Sequence, residues 1–180
     1  MRRLTLTLLA ALVIAPAAVA ATGAAGDGAL SVVNGYVTSI TIVGKGTIYG
    51  QFDQGTIAVT DTDLTDGTVS VLGADKKPTI VGNTKTYTGK NITFKLVGGK
   101  FKITITSGQN VDFLAVGVGK AFLKGDPKAD DPGTYTVDDA PLKPIPVAPL
   151  VAPAVGTVWA GLAVPFGKQP PVTTTVQTAP

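Results

Sequence analysis

The densest group of potential ligands is Asp61-Thr62-Asp63-Leu64-Thr65-Asp66-Gly67. Calcium binds several oxygens at once, and carboxylates at alternate positions of a loop can share one ion. Asp61, Asp63 and Asp66 are therefore the candidate metal ligands, with Ca2+ as the candidate ion. The match to an EF-hand loop is incomplete. Gly67 falls one place late, and Leu72 stands where a bidentate Glu is needed. The same residues also suit a solvated turn between strands.

Asp126, Asp130 and Asp131 form a second acidic loop, broken by Pro127 and Pro132. Paired carboxylates can serve acid–base chemistry, but adjacent loop aspartates also simply solvate a turn. Lys95, Lys100 and Lys102 flank a Gly-Gly pair. If the pair is a hairpin turn, Lys95 and Lys102 oppose each other on the outer face, where like charges cost stability. An aspartate on the neighbouring strand or an anionic polymer outside the cell would offset that cost; protection of a strand edge is the other use of such lysines. Tyr36, Tyr49 and Tyr87 could stack on sugars or cap the rim of a core. Trp159, the only tryptophan, is the candidate anchor for a partner or for the chain's own domain.

Composition narrows the chemistry further. The chain has no His, no Cys and no Glu, and both arginines, Arg2 and Arg3, lie at its start. No imidazole base, thiolate nucleophile or thiolate zinc site is available, and no disulfide can form. The common catalytic constellations are absent, which argues for a non-enzymatic protein. Beyond residue 20 the charges are 13 Lys and 12 Asp. That near-balance gives no case for nucleic acid, which favours a clustered basic face.

The positioning elements follow from hydrophobic pattern. Residues 1–20 read as a cleavable secretory signal. Met1-Arg2-Arg3 is basic, Leu4 to Ile14 is apolar but too short to span a bilayer, and Ala18-Val19-Ala20 fits a signal-peptidase site. The expected location is extracellular or envelope-associated, with no integral membrane segment after cleavage. Residues 21–28 form a linker, 29–140 a β-domain, and 141–180 a flexible tail holding 9 of the 13 prolines. In the tail, 158–166 is the stretch that could dock.

The β-domain is expected to be all-β, an antiparallel sandwich or barrel of about eight to eleven short strands with hairpins. Ile92, Phe94 and Leu96 alternate with polar residues, as do Phe101, Ile103 and Ile105. A two-residue turn at Gly98-Gly99 would pair the two runs with all six side chains on one face. A second hairpin would turn at Asn34-Gly35. A bulge near Thr38-Ser39 would put Leu30, Val32, Val37, Ile40 and Ile42 on a common face. Further strands read as 46–52, 56–60, 68–72, 111–116, 119–124 and 134–138. Val43-Gly44-Lys45-Gly46 echoes Val116-Gly117-Val118-Gly119, which suggests either related half-domains or chance. A β-solenoid is the alternative fold, opposed by turns that make antiparallel neighbours.

The stretches Val43 to Thr56, Leu72-Gly-Ala-Asp, Tyr87 to Phe94, Leu96 to Phe101 and Ala115 to Ala121 resemble uncharacterised secreted β-rich proteins of high-GC Gram-positive bacteria. The resemblance covers roughly residues 28–138 and excludes the tail. The chain departs from that group in having no Arg in this region. The resemblance implies export and a β fold, and it transfers no functional residue. The functional expectation is an exported structural or binding module, with a cell-wall polymer or envelope protein as partner. The alternatives are an Asp-based enzyme on wall polymers and a calcium-stabilised adhesion module.

Overall fold

Thr, Val and Ile recur at alternating positions through much of the chain, and among the described residues every regular element is a strand. A computed structural model describes residues 27–61, 66–147 and 161–167. The strands are β1 (Gly28–Asp61), β2 (Gly67–Ala74), β3 (Thr79–Val81), β4 (Thr84–Gly125), β5 (Thr134–Val137), β6 (Lys143–Pro144) and β7 (Leu162–Phe166). All pairings are antiparallel, and the sheet does not close into a barrel. The expected secretory signal, and the expected linker up to residue 26, lie outside the described residues.

β1 and β4 run for 34 and 42 residues, far beyond the usual strand length. Their register explains how. Ile40 pairs with Ile105 on one side and Leu123 on the other, and Ile42 with Ile103 and Ala121. Ala115 in turn lies between Leu30 and Ile48. Each long strand thus has the other on both flanks, and the two partners of Ile40 are 18 positions apart. Two strands can flank each other twice only by coiling. The result is an antiparallel ribbon wound with one turn per 18 residues, or roughly 60 Å of strand per turn.

Sharp corners divide each turn into two stretches, so two layers face each other across one core. The first layer stacks 67–72, 92–97, 46–52, 111–117, 28–33 and β5. The second stacks β3, 84–90, 54–61, 100–106, 37–45, 118–125 and β7. At one corner Gly46 and Gly117 are paired, with φ of 140° and 142°. At the opposite corner Asn34, Asn91, Ser107 and Asn110 adopt positive φ, which Asn tolerates better than most residues.

This winding keeps the expected strands and replaces the expected hairpins. Ile92, Phe94, Leu96, Phe101, Ile103 and Ile105 are all buried on one side, as the pattern requires. However, Leu96 pairs with Ile48 and Val69, whereas Phe101 pairs with Gly44 and Asp61. Gly98-Gly99 is a corner between layers. Asn34-Gly35 is another, since Leu30 pairs with Ala115 and Val137, and Ile42 with Ile103 and Ala121. Gly98 and Gly99 adopt positive φ, as the Gly-Gly pair suggested, and so does Asn34; what the chain does with each bend differs. The bulge is present. From Val37 to Ser39 β1 takes two steps, while β4 takes one, from Gly125 to Lys124. Leu30, Val32, Val37, Ile40 and Ile42 are consequently all buried.

The internal echo also finds a cause. Gly44 pairs with Gly119 and Gly46 with Gly117, so the two similar motifs turn the same corner side by side. The fold therefore combines antiparallel pairing with the circumferential course of a solenoid.

The inward side chains form one hydrophobic cluster. No polar or charged residue is buried among the described residues. The cluster extends beyond residue 140 to Ile145, Val164 and Phe166. Ile145 is buried and donates its N–H to the Gly133 carbonyl at 2.9 Å. β7 pairs with residues 119–123 of β4 and buries Val164 and Phe166.

Candidate functional site

The outer face of the first layer carries the groove best suited to a ligand. Alternation along five adjacent stretches sets the row Ser31, Leu114, Tyr49, Lys95 and Ser70, each cross-strand partner of the next. The next row holds Asp112, Gln51, Thr93 and Leu72. Between them runs an open groove of about 890 Å³, with mainly apolar walls and Gly50, Phe94 and Phe113 also lining it.

Tyr49 is the centre of this surface. It is 49% exposed although both strand neighbours, Leu114 and Lys95, are beside it. An aromatic ring left half in water has an apolar face free for contact and a hydroxyl free for hydrogen bonding. Lys95 supplies a cationic donor. Asp112 accepts the Asn34 N–H through Oδ1 at 2.8 Å, which fixes the carboxylate and leaves further acceptor positions. Gln51, Ser31 and Thr93 add neutral polar groups along the walls. Among the described residues Asp112 is the one carboxylate lining the groove. Acid–base cleavage of a glycosidic bond uses two, roughly 5–10 Å apart.

Of the lysines expected to act together, Lys95 is in this groove and Lys102 is not. Lys95 lies between Tyr49 and Ser70, whereas Lys102 lies between Val43 and Thr60 on the second layer. They do not oppose each other, because the chain between them turns a corner. Lys100 opposes Lys45. The three tyrosines likewise separate. Tyr87 packs against the core, and Tyr36 sits at a corner, its N–H donating to the Pro132 carbonyl.

The acidic loops hold their own backbone. Asp126 Oδ1 accepts the Lys128 N–H at 2.9 Å, and Asp131 Oδ1 accepts the Gly133 N–H at 2.8 Å. Asp61 ends β1 opposite Phe101, and Asp66 precedes β2 at the corner beside Gly99. Among the described residues no three acidic side chains converge as a metal site. Asp63 and Trp159 lie outside the described residues. Tyr49 and Asp112 escape selection from sequence as a pair because 63 positions separate them. The alternation that points each outward is legible; their adjacency depends on the winding.

Fold and groove together define an all-β, cysteine-free domain with an amphipathic groove on one layer. No family model, curated protein or solved structure matches the chain.

Proposed function

We propose that the protein is an exported, non-enzymatic binding module of the cell envelope or extracellular space, and that its groove holds a glycan chain. The observation that carries this reading is the half-exposed Tyr49 ring flanked by Lys95, Asp112 and Gln51 in one open groove. A sugar ring needs an apolar platform for its C–H face and polar groups at its rim, and the groove supplies both. Its volume lies within the range usual for small-ligand sites. The secretory opening and the chain's resemblance to secreted β-rich proteins support export. The single groove carboxylate supports binding without cleavage.

Retention of the purified protein on insoluble cell-wall glycan tests the reading. Tyr49→Ala is expected to weaken retention about tenfold, as loss of a central aromatic contact does. Its melting temperature should stay close to that of the wild type, because Tyr49 points away from the core. Equal retention of the two proteins would show that the groove is not the glycan site.

A further inference from the structure

The second layer segregates charge that the sequence balances. Among the described residues its outward positions carry Lys45, Lys90, Lys100, Lys102, Lys120 and Lys124, and no aspartate. Among the described residues, every aspartate but Asp112 lies at a corner, strand end or turn. Lys102 and Lys120 flank Val43 on its two sides, and Lys45 follows two positions along the same strand. Strand geometry places these three side chains within roughly 10 Å of one another. Lys100 and Lys124 make further interactions of their own, and Asp66 sits at the corner beside Gly99. The binding stretch is therefore counted from Lys45, Lys102 and Lys120.

Threonines surround these lysines. Thr41 and Thr104 hydroxyls lie 3.3 Å apart, Thr60 and Thr84 2.8 Å, and Thr56 and Thr88 2.9 Å. In each pair one O–H donates to the other oxygen, which leaves one proton to donate outward. The face thus presents ammonium and hydroxyl donors and no carboxylate. Among the described residues its aromatic side chain, Phe122, has the Lys120 ammonium 5.7 Å above its ring, so none of them offers an open platform for stacking a base.

We infer that this face binds a linear polyanion with a phosphodiester backbone joining polyols rather than nucleosides. Non-bridging phosphate oxygens accept from the three lysines, and the linking polyol lies along the threonine rows. This surface is on the layer opposite the Tyr49 groove, and the inference does not depend on that groove.

Binding of a fluorescent poly(glycerol phosphate) oligomer to the full-length protein, followed by anisotropy at increasing salt, is the test. Affinity should fall linearly with salt on a log–log plot, in step with the lysines engaged. The Lys45→Gln, Lys102→Gln, Lys120→Gln triple variant should bind at least tenfold more weakly and melt no lower. A control with the same charge change elsewhere, Lys76→Gln, Lys77→Gln, Lys128→Gln, should lose much less. Equal loss in both variants would reduce the effect to net charge and overturn the inference. So would absence of binding at low salt, or equal affinity for alginate or single-stranded DNA.

Discussion

Gly117→Ala will destabilise the domain by roughly 3 kcal/mol or more. At this corner φ is 142°, and a Cβ would lie 2.2 Å from the Lys45 carbonyl oxygen. The obstacle is backbone, so no rotamer change relieves it. The Lys45 backbone is itself tied down by pairing of β1 on both sides. A matched control is available in Gly82, where φ is 55° and a Cβ would meet nothing within 4 Å. Gly82→Ala reports the dihedral cost alone, about 1–2 kcal/mol. Urea unfolding followed by far-UV circular dichroism measures both. Equal losses at the two positions would mean that the paired glycines are not a close-contact corner.

Phe166→Ala is expected to cost roughly 3–5 kcal/mol, the range for a buried phenylalanine. Phe166 is 2% exposed and lies beyond most of the prolines, at the end of β7. Its ring covers Gly119, where a Cβ would sit 2.6 Å from the ring Cζ, and reaches over Gly44. Both glycines lie in one cross-strand row, which leaves a slot the width of the ring. Removing the ring leaves a cavity that those backbones cannot collapse to fill. Phe166→Leu should recover part of the loss. Limited proteolysis supplies a second readout, since β7 should be cleaved faster in the alanine variant. A Phe166→Ala protein that melts with the wild type would make β7 dispensable.

Much of the strand content was legible because burial imposes a two-residue period. Ile92, Phe94 and Leu96, and Phe101, Ile103 and Ile105, announce their inward face by alternation alone. Even the extra residue near Thr38 could be inferred, because without it Val37 and Ile40 cannot share a face. Pairing partners were not legible. A Gly-Gly or Asn-Gly dipeptide states that the backbone bends, and it does not state whether the arms fold onto each other or diverge into two layers. For the same reason Lys95 and Lys102 read as neighbours although the Gly98-Gly99 corner separates them. The basic second face was hidden too, because net charge does not report where alternation and corners send each sign. The docking of Leu162–Phe166 was foreshadowed only by its apolar character within a proline-rich stretch.

The mutual winding of β1 and β4 also sets the order of events in folding. Leu30 finds its partners at Ala115 and Val137, and Ile40 at Ile105 and Leu123. Only residues 54–61 of β1 close a ladder against a stretch nearby in sequence, 84–90; the rest of β1 waits for later parts of β4 and for β5. Loop closure over such spans precedes any gain from pairing, and folding dominated by distant contacts is slow, on the order of milliseconds to seconds. The first part of β1 accordingly stays unpaired until β4 is complete, and the ribbon locks only when it has coiled.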